Sequence, residues 1–200
     1  MDDKLKTGVY GKRAKKEGKT PAIALVNPKF SHNVGAAVRA ASCFGAKQVW
    51  WTGNRVRLDE KRRLPREERM KGYKDVELRQ FDQVYDHFDS DVVPVAIELR
   101  QNSESLQTFV HPEKALYVFG PEDGSLSGTH LSRCHRFVVI PTRHCVNLAA
   151  AVYLVLYDRF MKEFPDATIH DMLNEPRNKM TGLFASDDDF HKGLGLASSK

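Results

Sequence analysis

Arg39 is the only charged residue in the stretch 33–42, NVGAAVRAAS. A guanidinium is permanently cationic and offers five donors in a planar fork, a shape that grips phosphate oxygens at two points. Val34, Ala37, Val38 and Ala41 recur at i, i+3, i+4 and i+7, which predicts a helix with that stripe buried. Arg39 falls off the stripe, one turn from Gly35 and Ala36, and these neighbours are too small to cover it. Two readings stay open on this segment alone. One is an arginine simply solvated on a closely packed helix. The other is a guanidinium left clear so that a bulky anion, with room beside Gly35 and Ala36, can approach.

Three segments hold the remaining chemistry, each following a short apolar run. The first passes through Asn27 and Pro28 to Ser31, His32 and Asn33; the second is FGPEDGSLS, 119–127; the third is IPTRHCVNLAAA, 140–151. Gly120 and Gly124 bracket Pro121, Glu122 and Asp123, but the spacing is neither a GxxxxGK[ST] phosphate loop nor a GxGxxG dinucleotide turn. Taken alone, Asp123-Gly124 reads as a turn. Cys134-His135 and His144-Cys145 suggest zinc only weakly. Adjacent residues on a strand point to opposite faces, whereas zinc ligands are spaced so that one turn aims both at the ion; no metal is expected. Cys145 beside His144 lacks the third group and oxyanion donors of a thiol nucleophile.

The elements that must position these loops alternate. Strands are expected at 22–26, 48–51, 92–99, 115–119 and 136–140, with helices over 33–46, 81–88 and 146–164. Gly45 is the expected C-cap of the first helix. Such alternation predicts an α/β domain with a largely parallel sheet, whose ligands lie beyond the carboxyl ends of the strands. Residues 55–79 mix acids and bases densely. They read either as a solvated helix and loop or as a basic surface for nucleic acid. Residues 1–20 read as a flexible basic arm, 21–164 as the domain, and 165–200 as a mobile tail. With 200 residues and 41% hydrophobic content the chain can bury a core, and a formal charge of +5 makes a polyanion a reasonable partner. No run of about 18 apolar residues suits a membrane span. The start lacks an apolar signal core, and the three cysteines form no even framework; a cytoplasmic location is expected.

Together the three segments resemble the motifs of the SPOUT class of RNA methyltransferases, in particular the SpoU/TrmH-type ribose 2′-O-methyltransferases. NPKFSHNVGAAVRAASCFGA is similar to the first motif, with Asn, Gly and Arg in fixed spacing. LYVFGPEDGSLS is similar to the second, although Ser125 intrudes, and IPTRHCVNLAAAVYLVLYDR to the third, where an Asn opens a long apolar helix. Any one motif is weakly specific; the three in order over 21–164 are not.

The resemblance implies a parallel α/β sheet with a deep C-terminal trefoil knot, an exception to the usual absence of threaded chains. It implies S-adenosylmethionine as cofactor, a homodimer with the active site near its interface, and RNA as substrate, transfer RNA ahead of ribosomal RNA. By position, Asn33, Arg39, Glu122, Cys145 and Asn147 match the family's functional residues. Leu99, Gly120, Ile140, Cys145 and Leu148 match its cofactor-lining positions. Asn33 is expected to cap the first helix and face RNA. Glu122 is expected either to cap locally or to support the loop and Arg39. One departure stands out: Cys145-Val146-Asn147 replaces the family's Ser-Leu-Asn. The rival readings are a SPOUT-like RNA-binding protein with weakened catalysis and an unrelated nucleotide-binding α/β enzyme, the latter without any phosphate-loop signature.

Overall fold

The structure is a computed structural model, and it describes residues 21–56, 63–69 and 73–165. The arm and tail expected at 1–20 and 166–200 lie outside the described residues, as does part of the charge-dense segment. The sheet and its helices belong to one compact unit.

Seven strands form one sheet: β1 (Ala22–Leu25), β2 (Gln48–Trp51), β3 (Glu77–Gln80), β4 (Val93–Ile97), β5 (Glu104–Ser105), β6 (Ala115–Phe119) and β7 (Arg136–Val139). Their order is β3-β2-β1-β6-β4-β7-β5, and every pairing is parallel. All carboxyl ends therefore lie along one edge. Helices α1 (Ser31–Phe44) and α3 (Leu148–Glu163) pack together on one face of the sheet, and a short α2 (Gly128–Leu131) precedes β7.

Strand periodicity sorts the core into two layers. Ile23, Leu25, Val49, Trp51, Tyr117 and Phe119 meet α1 and α3, while Ala24, Trp50, Leu116 and Val118 meet Val84, Leu126 and Cys134 on the other face. Strand β6, ALYVF, is buried throughout because it sits in the middle of the sheet and feeds both layers. Helix α1 ends at Gly45 (φ 76°), the left-handed C-cap read from sequence.

Four details differ from expectation. Residues 81–88 form no amphipathic helix; Phe81, Val84, Tyr85 and Phe88 pack on the Trp50 side of the sheet around one 3-10 turn, Tyr85–His87. The described part of the charge-dense segment holds two 3-10 turns, Arg66–Glu68 and Tyr73–Asp75, and edge strand β3. Helix α3 starts at Leu148 rather than at 146, which leaves 141–147 as an exposed loop. Gly35 is not open space for a ligand: a Cβ there would run into the carbonyl of Glu68, so its smallness admits the Arg66–Glu68 turn against α1. Among the described residues no helix is long and apolar enough to cross a membrane.

Candidate active site

The carboxyl edge gathers the three motif loops, and a chain of polar side chains joins them. Asn33, third residue of α1, is only 2% exposed. Its Nδ2 donates to Glu122 Oε1 at 2.7 Å, and its Oδ1 accepts from Asn147 Nδ2 at 3.1 Å. A carboxylate can only accept, which fixes the orientation of the Asn33 amide and leaves its oxygen for Asn147. Glu122 also accepts the backbone N–H of Lys29 at 2.7 Å and of Phe30 at 3.3 Å. Asn147 Oδ1 accepts the N–H groups of Ala149 (2.8 Å) and Ala150 (3.3 Å), so Asn147 is the N-cap of α3.

Asn33 is therefore not the cap of its own helix. Phe30 occupies the N-cap position and makes no side-chain cap bond. The Glu122 carboxylate, from another loop, instead takes the N–H groups of Lys29 and Phe30 immediately ahead of the helix. Partial burial pushes the Glu122 carboxyl up, but the donors Asn33, Lys29 and Phe30 outweigh it and hold the group below its ordinary value. A carboxylate so occupied is a poor base at neutral pH. Its work is positional, and it ties the second motif to the first.

Two further contacts steady the same edge. Arg55 grips Asp123 at two points (2.9 and 2.7 Å), and Lys29 lies 3.4 Å from the same carboxylate. The hydrogen bonds from Arg55, reinforced by Lys29, draw Asp123 down to about 2. Arg55 also reaches the carbonyl of Asn27, a residue in the left-handed region (φ 47°). Glu98, at the end of β4, accepts the N–H of Leu126 (3.0 Å) and of Leu99 (3.1 Å), pinning the loop after β6 to the loop after β4. Sequence reading missed Glu98 and Arg55. Glu98 does carry a signal, an acid directly after a buried strand.

The positions expected to line a cofactor fall in a row. Gly120, Leu99 and Ile140 follow β6, β4 and β7, three neighbouring strands spanning about 10 Å. Leu148 is buried behind them at the start of α3. Leu99 is 77% exposed, and Cys145 is an exposed free thiol. Arg39 stands apart. Six residues from Asn33 it lies on a different face of α1, exposed and without a hydrogen-bond or ion-pair partner among the described residues. The structure thus unites Asn33, Glu122 and Asn147, and Glu122 supports the first loop rather than Arg39. Among the described residues no group of three or more His, Cys, Asp or Glu side chains is placed to hold a metal ion.

The parallel sheet with three motif loops joined at its carboxyl edge is the arrangement expected of a SPOUT-type domain. The model of the SpoU rRNA Methylase family matches residues 21–157, and the chain belongs to that family. Over 187 residues it is 27% identical to the tRNA (cytidine-2′-O-)-methyltransferase TrmJ of Methanocaldococcus jannaschii, covering 82% of this chain and 79% of that one. Its fold is similar to the SpoU methyltransferase AviRb from Streptomyces viridochromogenes, with TM-score 0.63 and 17% identity over 74% of this chain. The match spans 61% of AviRb, which has also been solved in complex with AdoMet (TM-score 0.57, 16% identity, 73% of this chain and 58% of that one). The A. aeolicus TrmH/SpoU tRNA modifying enzyme matches at TM-score 0.63 and 18% identity, covering 94% of this chain and 95% of that one.

Proposed function

We propose that this protein is an S-adenosylmethionine-dependent RNA ribose 2′-O-methyltransferase that acts on transfer RNA as a cytoplasmic homodimer. The observation that carries the reading is the Glu122–Asn33–Asn147 chain, which locks all three motif loops into one edge of the sheet. The similarity to a tRNA 2′-O-methyltransferase supports ribose and tRNA in particular. The trefoil knot implied by the motifs belongs to this proposal, as does the basic arm as a salt-sensitive grip on RNA.

The residues fit the cofactor. Gly120 lets backbone pass close to Leu126, where a Cβ would approach the Leu126 nitrogen to 3.3 Å. Exposed Leu99 and half-buried Ile140 offer apolar surface for an adenine ring, with backbone groups of the 120–126 and 141–147 loops at hand. S-adenosylmethionine, when bound, supplies a methyl group on a cationic sulfur that a ribose oxygen can attack.

The protein's own residues then have separable tasks. Glu122 and Asn33 hold the loops. Asn147 caps α3 and so fixes where the 141–147 loop ends. Arg39 binds the RNA phosphate beside the reacting ribose and stabilises charge that builds on the 2′ oxygen as its proton leaves to water. Within one chain Arg39 lies away from the cluster, and a homodimer accounts for this. The arginine of one protomer serves the loops of its partner.

The test is transfer of labelled methyl from S-adenosylmethionine to purified transfer RNA and ribosomal RNA, followed by nucleoside analysis. Label in a 2′-O-methylnucleoside of transfer RNA is expected. Label confined to ribosomal RNA would correct the substrate, and label on a base would overturn the chemistry.

A further inference from the structure

Phe30 and His32 form an aromatic step at the entrance to α1. Their rings are stacked, with centroids 5.2 Å apart and planes 20° from parallel. Phe30 is 43% exposed, His32 is exposed, and neither belongs to either core cluster. The ammonium of Lys29 lies 5.3 Å from the Phe30 ring centre. Among the described residues, core packing does not account for two stacked aromatic rings at the surface.

The step is rigidly placed. The N–H groups of both Lys29 and Phe30 donate to Glu122, and Asn33 follows His32 directly, so the rings are built onto the cluster that joins the motif loops. Aromatic faces beside a cation suit a flat, π-rich, anion-linked ligand. A nucleobase stacked on an aromatic side chain has this character, and such stacking is sequence-tolerant. The base must be unstacked from its own helix to offer a face. A side chain cannot insert this way into intact A-form RNA.

We propose that the Phe30–His32 step stacks an unpaired nucleobase of the RNA, adjacent to the ribose that is methylated. The inference rests on the proposal that RNA is the substrate. The step selects loop or otherwise single-stranded RNA by demanding an open base, and it holds the strand while the three loops act on the sugar.

The experiment compares wild type with Phe30→Ala, Phe30→Leu and Phe30→Trp, using unfractionated transfer RNA as the probe. Phe30→Ala and Phe30→Leu are expected to weaken RNA binding and raise KM about tenfold, with a smaller change in kcat and with cofactor affinity kept. Phe30→Trp restores an aromatic face and should recover most of that affinity. Its added emission should be quenched by transfer RNA, whereas the wild-type signal from buried Trp50 and Trp51 serves as the blank. Unchanged affinity in Phe30→Ala together with unquenched emission in Phe30→Trp overturns the inference. So does a shift toward monomer with unchanged RNA affinity per protomer, which would make Phe30 a subunit contact. Because binding and quenching need no methyl transfer, the two readings fail separately. A wild type that binds RNA, with Phe30→Trp quenched by it, but that transfers no methyl keeps the step and removes the enzyme. A wild type that methylates RNA while Phe30→Ala matches it in KM and affinity removes the step alone.

Discussion

Helix α3 is fastened at both ends, by opposite chemistry. At its start an anionic centre, Glu122, takes the backbone N–H groups of Lys29 and Phe30 just ahead of α1 and, through Asn33, holds the Asn147 that caps α3. At its end a cationic centre collects carbonyls. Arg159, 5% exposed, donates to the carbonyl oxygens of Pro112 (2.6 Å) and Glu113 (2.9 Å) and to the Tyr117 hydroxyl (3.1 Å). Lys162 reaches the carbonyls of Leu106 and Phe109, and His111 bridges Tyr117 and Asp158. Burial presses the His111 pKa down, although its bond to Asp158 raises it. The two anchors differ in what lies beyond them. The first faces the exposed 141–147 loop; the second, among the described residues, gathers the 106–113 segment that leads into β6. One anchor shapes a site and the other holds the fold.

The largest effect should come from a residue tied to neither anchor. Arg39→Ala is expected to fold normally, since the side chain lies off the buried stripe and alanine is the better helix former. Single-turnover methyl transfer at saturating RNA should fall about 10²–10³-fold, and Arg39→Lys should recover little of it. Near wild-type transfer would make the arginine a solvated residue.

Breaking the second anchor should damage stability and spare chemistry. Arg159→Ala strips donors from two part-buried carbonyls, removes one partner of the buried Tyr117 hydroxyl and leaves a void, a loss of about 3 kcal/mol. Calorimetry should show Tm lowered by roughly 10 °C. Turnover per folded molecule at low temperature should stay unchanged; a matching loss of turnover would erase the contrast between the two ends.

Breaking the first anchor should touch both properties more gently. Glu122→Gln replaces one acceptor oxygen with a donor amide where only donors converge, a loss of about 1–3 kcal/mol at pH 7, accompanied by slower transfer. The native Glu122 pKa is held below its ordinary carboxylate value, so its stabilisation is complete above that ordinary value and drains away as pH falls through the lowered native one. Denaturant melts of the two proteins should therefore differ at neutral pH and converge in acid. A gap independent of pH would remove the charge from the explanation.

The smallest effect belongs to the exposed loop. Cys145→Ser keeps nearly the same volume and restores the family's residue, so activity should be equal or higher. A large loss of turnover with cofactor binding intact would give the thiol a role of its own.

Much of this architecture was legible because buried strands announce themselves. AIAL, QVWW, VPVAI, ALYVF and RFVV are apolar runs flanked by proline, glycine or charge. Strand β3, ELRQ, was not, because an edge strand half in solvent has no reason to be apolar, and two-residue β5 is too short to have a period. The 81–88 segment imitates a helix because its apolar residues gather around Trp50. All three members of the first anchor were named from sequence. The role of Asn33 was misjudged as a cap, although its place four before Ala37 and seven before Ala40, on a buried face, marks a polar side chain that must find partners inside. Arg159 carries the same mark, a charge set between Val155, Leu156 and Phe160 on the buried face of α3.

The central pairing of the sheet has a consequence for how the chain reaches this form. Ala22 lies beside Leu116 and Leu25 beside Phe119, so the middle of the sheet joins segments from far apart in the sequence. On a ribosome, β1 and α1 emerge long before β6 exists, and until then one side of β1 presents unpaired backbone groups. Closing so long a loop costs entropy before any contact repays it, and topologies of this kind fold slowly. Refolding from denaturant should show a lag before the buried Tyr117 and Trp51 report native fluorescence. The nascent N-terminal half spends that interval as an exposed sheet edge, the form of this protein most in need of a chaperone.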